Sequence, residues 1–218
     1  MRGTAPSSRG NRKKVTQTGG FYCEKYKKQI ANSIADDEAR GIRFSEDKCI
    51  LLKYNPALPD ESYVIPSGIT GIGDNAFACC ANLTSVKIPL GVTAIGKFAF
   101  ACCHQLKRIN IPDSVTGIGD GAFAGCVNWK SVRLPSGVKN IGNSVFAHCG
   151  LIRADIPEGV ISIGDYAFAF CRLMTVTIPK TVVYVGRDAF IGDDLEQMWT
   201  ARELKKKYPQ LFSGCKDR

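Results

Sequence analysis

Ten cysteines and two histidines are the residues of this 218-residue chain best suited to chemistry. A thiolate can act as a nucleophile beside a base, hold zinc, or pair in a disulfide. Unpaired cysteine is also among the residue types most often buried. Five of the ten recur at one position, three residues after a phenylalanine, which favours a column of small buried thiols: Cys80, Cys103, Cys126, Cys149 and Cys171.

The other arrangements of these residues lack the spacing that catalysis or metal binding needs. The adjacent pairs Cys79-Cys80 and Cys102-Cys103 suggest zinc, but neighbouring residues of a helical turn point about 100° apart. No Cys-x-x-Cys spacing occurs in the chain. His104 and His148 each adjoin a column cysteine, where the two side chains should diverge. The sequence therefore predicts a protein that is not an enzyme, with no catalytic residue, no metal and no cofactor.

The elements that position the cysteines belong to a repeat. An Ile-Pro or Leu-Pro pair returns every 22 or 23 residues, beginning at residues 65, 88, 111, 134, 156 and 178. A period in the twenties is typical of a solenoid. The clearest copy runs from Ile111 to Arg133 and reads IPDSVTGIGDGAFAGCVNWKSVR. One residue is missing between cysteine and leucine in the fourth and fifth copies, at Cys149-Gly150-Leu151 and Cys171-Arg172-Leu173.

Each copy predicts two short strands and one helical turn. The L-x-x-V-x-I stretch places its last two apolar side chains on one face of a strand, which the following proline ends. The V-T-x-I-G stretch predicts a second strand, ended by glycine. An Ala-Phe pair follows in a single helical turn, and the phenylalanines should stack in a buried column. The residue after the glycine suits an N-cap of that turn: Asp74, Asp120, Asn143 and Asp165.

The combined spacing of IP, V-T-x-IG, AF, C and L resembles the BspA-type leucine-rich repeat of bacterial and protist surface proteins. The resemblance covers about residues 44–200. It implies an α/β repeat solenoid, right-handed and curved, with a parallel β-sheet on the concave face. Short second strands and single helical turns would lie on the convex side. It also implies adhesion and protein binding, and it brings no catalytic residues.

The chain divides into four predicted segments. Residues 1–20 are expected to be a disordered basic tail. Residues 21–64 should form a cap of one helix and one hairpin, which covers an open sheet edge. Residues 65–194 hold six repeats, and the last has Asp193 where the others have cysteine. Residues 195–218 should contribute a strand, a helix and a tail.

The net charge of +9 is concentrated at the two ends of the chain. Residues 1–14 carry five basic residues and no acidic one, and residues 195–218 carry six basic and three acidic residues. Eight of the nine excess charges therefore lie outside the repeats. The nearly neutral body weakens any argument for nucleic-acid binding from net charge alone.

Localisation stays open between two expectations. No apolar run suits a secretory signal, and no stretch approaches the ~18 apolar residues that span a bilayer. A complete chain of this kind is expected in the cytoplasm, which the many unpaired thiols also favour. The family resemblance implies the cell surface instead.

The residues between the apolar strand positions should line the concave face. Six of them are basic and one is acidic, and the basic ones are the candidate partner-binding residues: Lys87, Lys107, Arg108, Lys130, Arg133 and Arg153. A merely solvated strand face is the simpler interpretation, because lysine and arginine also discourage edge association. The functional hypothesis is a shallow positive surface for an acidic protein or acidic glycan.

Three functional hypotheses follow, in this order. The first is a monomeric protein-interaction module that binds an acidic partner on its concave face, with no small-molecule substrate. The second is a cell-surface adhesin that binds a host or matrix protein or glycan. The third is association with nucleic acid or membrane through the basic tails, residues 1–14 and 205–207. The concave face itself does not favour nucleic acid, because it lacks aromatic residues for base stacking and a recognition helix.

Overall fold

The structure, a computed structural model, describes residues 18–193, 206 and 209, and side chains only from residue 27 onward. Helix α1 (Thr18–Ala39) comes first, followed by hairpin strands β1 (Arg43–Phe44) and β2 (Ile50–Lys53). Three-residue strands then alternate with two-residue strands. The longer ones are β3 (Ser62–Val64), β5 (Ser85–Lys87), β7 (Arg108–Asn110), β9 (Ser131–Arg133), β11 (Arg153–Asp155) and β13 (Thr175–Thr177). The shorter ones are β4 (Gly71–Ile72), β6 (Ala94–Ile95), β8 (Gly117–Ile118), β10 (Asn140–Ile141), β12 (Ser162–Ile163) and β14 (Tyr184–Val185).

The three-residue strands pair in parallel and in register to form the concave sheet. Their middle residue points into the core, as Val86 and Ala154 do, while the residues on either side face outward. Each strand ends directly before an Ile-Pro or Leu-Pro pair, because proline has no N–H to continue the hydrogen bonding. The two-residue strands form a second parallel stack, and β2 adds the antiparallel β1 to its first edge. The predicted parallel solenoid is confirmed.

The phenylalanines form the predicted buried column. Rings of successive repeats lie nearly parallel, with centroids 4.8 Å apart for Phe77 and Phe100 and 5.3 Å apart for Phe100 and Phe123. Tyr54 extends the column by one ring before the first repeat, 5.3 Å from Phe77. Because parallel β-strands also lie ~4.8 Å apart, the ring stack and the strand pairing impose the same spacing.

The segment after each second strand takes the form of two successive tight turns, here called the convex turn, as in residues 74–80. Its second and sixth residues have positive φ in every repeat, for example 56° at Asn75 and 60° at Cys79. These residues change the direction of the backbone within the turn, so its N–H groups can bond to the next repeat. For example, Phe77 N–H donates to Ala99 O at 2.6 Å. This second ladder holds the repeats together on the side opposite the concave sheet.

The residues predicted as N-caps bond to the following repeat instead of their own turn. Oδ1 of Asp74 accepts from the backbone N–H of Lys97 at 2.6 Å, and Oδ1 of Asp120 accepts from that of Asn143 at 2.8 Å. Asn143 and Asp165 do the same. Their side chains therefore stabilise the stacking of repeats.

Helix α1 is held against the first strands by polar contacts. The Tyr63 hydroxyl donates to Asp37 at 2.5 Å, and Arg40 forms an ion pair with Asp60. The helix begins at Thr18, inside the segment predicted as a tail. Most of residues 1–20, and residues 195–218 with their predicted strand and helix except for positions 206 and 209, lie outside the described residues.

Gly150 explains how the shortened repeats stack on the longer ones. The fourth repeat has one residue fewer before its leucine, so its chain passes directly against the longer loop of the third repeat. A Cβ at residue 150 would overlap the Val127 carbonyl oxygen. The Gly150 N–H also donates to Cys126 O at 3.2 Å. Glycine is required here by close backbone approach.

We expect Gly150→Ala to lower the free energy of unfolding by about 3 kcal/mol, because the backbone must move to relieve the overlap. Gly117→Ala is the matched control, since a Cβ at Gly117 meets no atom within 4 Å. Urea unfolding followed by circular dichroism measures both. Equal unfolding midpoints for the two variants would contradict this account of the shortened repeat.

Candidate functional site

The concave sheet is interrupted at its middle. Within the described residues, β7 is not paired with β9, and β8 is not paired with β10, although every other pair of successive repeats is joined. The convex turns stay joined across the same boundary, where Phe123 N–H donates to Val145 O at 2.9 Å. Both strand stacks therefore lose their pairing at this boundary, while the convex turns keep theirs.

Trp129 accounts for the interruption. It stands where Leu83 and Leu106 stand in earlier repeats, and it is buried at the boundary. Its ring packs against Phe123 and Phe146, with centroids 5.1 Å and 5.9 Å away. The rings of Phe123 and Phe146 are 5.7 Å apart, the widest step in the described phenylalanine column. An indole needs more room than leucine, so it holds the third and fourth turns of the strand ladder apart.

The interruption creates a shallow depression of about 450 Å³ on the concave face. The apolar part of its floor is Ile109, which is more exposed than Val86 and Val132, its buried counterparts in β5 and β9. Its polar lining is basic or neutral: Ser85, Lys87, Lys107, Arg108, Asn110 and Ser131. The depression thus combines three exposed cations with an apolar floor.

The other three candidate basic residues lie elsewhere on the concave face or fold away from it. The Lys130 ammonium donates to Val127 O at 3.5 Å. Arg153 forms an ion pair with Asp155, with Nε 3.1 Å from Oδ1. Arg133 lines a second, smaller depression together with Asp113 and Asp155. The basic residues of β5 and β7 therefore have no acidic residue beside them in the depression, whereas Arg153 in β11 is paired with Asp155.

The interruption between β7 and β9 was not predicted from the sequence. Trp129 occupies the leucine position of the L-x-x-V-x-I pattern, which by itself gives it no role beyond packing. The available signal was its size, since the corresponding residues in the other repeats are leucine: Leu83, Leu106, Leu151 and Leu173. A large ring in a column of smaller side chains predicts local widening.

The cysteine column is buried as predicted and is engaged in packing. The thiol of Cys103 donates to Phe77 O at 3.0 Å, and that of Cys149 donates to Phe123 O at 3.0 Å. Burial raises the pKa of Cys80 to about 11 and also raises that of Cys103. Thiols held neutral in this way are poor nucleophiles.

The histidines do not face the buried thiols. His104 is exposed, and His148 stacks on Phe170 with ring centroids 4.8 Å apart. Among the side chains that the structure describes, no group of three or more His, Cys, Asp or Glu is placed to hold a metal ion. Nor is any described helix long and apolar enough to cross a membrane.

Asp193 takes the place of cysteine in the sixth repeat and is buried. Its Oδ1 accepts from the backbone N–H of Leu173 at 3.0 Å, while Oδ2 has no partner among the described residues. Burial raises the pKa of Asp193 to about 7, against the smaller effect of the Leu173 hydrogen bond. The carboxyl group therefore favours its neutral form in the folded protein.

The chain matches one known protein family and is similar to several solved structures. The family described as BspA type leucine rich repeat region matches in six copies, over residues 59–161 and 139–217. A leucine-rich repeat protein from T. pallidum is 27% identical, with a TM-score of 0.59, and the match covers 77% of this chain and 92% of that one. No curated protein matches the chain.

Two further solved structures are similar over the repeats. A leucine rich cell surface protein from Faecalibacterium prausnitzii is 28% identical with a TM-score of 0.53, and the match covers 69% of this chain and 50% of that protein. A leucine-rich repeat protein from Eubacterium ventriosum is 27% identical with a TM-score of 0.56, covering 70% and 48% respectively. The chain thus spans about half the length of these two relatives.

Replacing Trp129 with leucine should close the interruption. We expect the Ser131 amide to donate to Lys107 O, as the Arg108 amide donates to Thr84 O at 3.1 Å in the preceding repeat. Hydrogen exchange of the Ser131 amide should then slow by about tenfold or more, while that of Arg108 stays unchanged. NMR-detected exchange measures both amides. An unchanged rate at Ser131 would show that another feature separates the strands.

Asp193→Asn should stabilise the protein in a pH-dependent manner. The folded-state pKa of Asp193 is raised, so the folded protein binds an extra proton between about pH 4 and 7, and wild-type stability falls as pH rises through that window. Asparagine keeps an acceptor for Leu173 N–H without the charge. The gain in unfolding free energy should be small at pH 4, grow by at most about 1.4 kcal/mol per pH unit, and level off near pH 8. Urea unfolding at pH 4, 6 and 8 tests this against exposed Glu158→Gln; a gain independent of pH would contradict it.

Proposed function

The chain belongs to the BspA-type leucine-rich repeat family, and on that basis we propose that it is an interaction module whose concave face binds an acidic protein segment. Leucine-rich repeat proteins are generally non-enzymatic binding modules, and solenoids offer an extended concave surface for that purpose. The proposed binding site is the depression over β5, β7 and the start of β9, together with the basic residues around it.

The observation that carries the proposal is the grouping of Lys87, Lys107 and Arg108 around one depression. They come from two successive repeats, and no acidic side chain lines the depression with them. Arg108 can bind a carboxylate with two parallel hydrogen bonds, whereas the lysines act as point charges. An acidic segment laid across β5 and β7 would meet all three cations.

A protein segment fits the depression better than a glycan does. The ring of Trp129 is only 3% exposed, so it offers no free face for stacking against a sugar. The partly exposed Ile109 suits an aliphatic side chain between acidic ones.

The other basic residues of the face are proposed to contribute less. Arg153 is engaged with Asp155, and Arg133 lies near two carboxylates, so an acidic partner would have to compete with them. Lys130 would have to leave the Val127 carbonyl to reach the partner. These three residues are assigned to the rim of the proposed site.

A cell-surface adhesin is the second candidate, because one of the similar structures is named as a cell surface protein. The same concave face would serve that role, with a host or matrix protein as the partner. The third hypothesis concerns basic tails that lie almost entirely outside the described residues, and it stays a prediction.

Charge reversal at the depression should abolish binding of an acidic peptide. The variant is Lys87→Glu, Lys107→Glu and Arg108→Glu, and the probe is a fluorescein-labelled peptide with glutamates on both sides of one leucine. We expect the dissociation constant from fluorescence anisotropy to rise at least about tenfold, because three attractions become repulsions. A heparin-derived oligosaccharide, measured in parallel, should bind more weakly than the peptide.

The matched control reverses three exposed basic residues outside the concave strands: Lys97→Glu, Lys139→Glu and Arg172→Glu. It changes the net charge by the same amount and should alter affinity by less than about twofold. Equal losses in the two variants would mean that only net charge matters. Unchanged binding in the first variant would remove the proposed site.

A further inference from the structure

Two exposed cysteines lie side by side on the convex surface, away from the concave site. Cys79 and Cys102 occupy the same left-handed position of successive convex turns, with φ of 60° and 58°. Both are exposed and unpaired. Stacking makes the two residues neighbours, because the Cys79 N–H donates to the carbonyl oxygen of Ala101, which directly precedes Cys102. They therefore make an exposed dithiol, which the proposed interaction site does not use.

The spacing of this pair is imposed by the fold. Cys79 N–H donates to Ala101 O at 2.8 Å, and Cys102 N–H donates to Ala124 O at 2.7 Å, so both residues belong to the same rigid ladder. The phenylalanines of the same two turns, Phe77 and Phe100, have ring centroids 4.8 Å apart. Cys79 and Cys102 are therefore neighbours in the stack, separated by the rise of one repeat. Their side chains point away from the ladder in the same direction.

The neighbouring position of the same column leaves the pair accessible. Gly125 follows Cys102 in the next repeat, and a Cβ there would lie 3.5 Å from the Cys102 Sγ. One repeat further, His148 is stacked on Phe170. The open space beside Cys102 contrasts with the setting of Cys103, whose thiol is buried and bonded to the Phe77 carbonyl.

We propose that Cys79 and Cys102 form a binding site for a soft monovalent cation, Cu(I), held between two thiolates. Thiolates are the protein ligands that select Cu(I). Cu(I) is stable with two opposed sulfur ligands, whereas structural zinc requires four. In the described residues no third His, Cys, Asp or Glu joins the pair, which favours the two-coordinate ion.

The binding step involves no change of oxidation state. Each thiol releases its proton to water, the two sulfur atoms each donate an electron pair to Cu(I), and the resulting complex carries one negative charge. The site differs from the adjacent pairs that the sequence suggests for zinc. Residues 79 and 80 diverge, with one exposed and the other buried, whereas residues 79 and 102 are brought together by stacking.

The test is an anaerobic Cu(I) titration of the reduced full-length chain against the chromophoric chelator bathocuproine disulfonate. The wild-type protein should withdraw one equivalent of Cu(I) that the variant Cys79→Ser, Cys102→Ser does not. Each single variant should lose the same equivalent, with affinity at least about 100-fold lower, because one thiolate cannot complete the pair. Serine suits this backbone, since Ser144 occupies the other left-handed position of a convex turn with φ of 54°.

Cys49→Ser is the matched control, because Cys49 is a half-buried cysteine with no cysteine beside it among the described residues. It should retain the wild-type equivalent of Cu(I), and all variants should keep the wild-type melting temperature. Retention of that equivalent by the double variant would overturn the proposal. So would equal affinity for Zn(II) and Cu(I) in the wild-type protein, because a two-thiolate site should discriminate strongly between them.

Discussion

The repeats of this protein can stack only at a distance that aromatic rings and backbone hydrogen bonds both accept. Stacked phenylalanine rings of the described repeats lie 4.8–5.7 Å apart. Hydrogen-bonded strands require nearly the same separation. Ring column, concave sheet and convex turns therefore reinforce one another, and short strands that would be unstable alone persist in the stack. Every other column of residues inherits its spacing from this agreement.

Departures from that spacing give the solenoid its individual features. Trp129 widens one boundary, where both strand stacks lose their pairing while the convex turns remain bonded. Gly150 has the opposite role, since it lets a shortened loop approach the preceding one without a clash. A repeat protein can thus acquire a distinct surface through one side chain of unusual size, with no change in topology.

Charge on the concave face depends on pairing as much as on composition. Arg153 and Arg108 occupy equivalent strand positions, yet Arg153 is bound to Asp155 two residues away, whereas the residue two positions after Arg108 is the neutral Asn110. The effective positive surface is therefore smaller than the row of basic residues suggests, and it coincides with the depression. On the convex side, stacking places the exposed Cys79 next to the exposed Cys102, whereas the sequence neighbours Cys80 and Cys103 are buried.

The sequence by itself determined the solenoid, the phenylalanine column and the burial of the repeated cysteines. Each follows from a local pattern that recurs at a fixed period, and stacking carries such a pattern unchanged into three dimensions. Only the tertiary structure decided where the strand pairing is interrupted and which basic residues have no acidic partner among the described residues. The physical reason is that both features depend on the volume and orientation of individual side chains, which a repeat pattern does not contain.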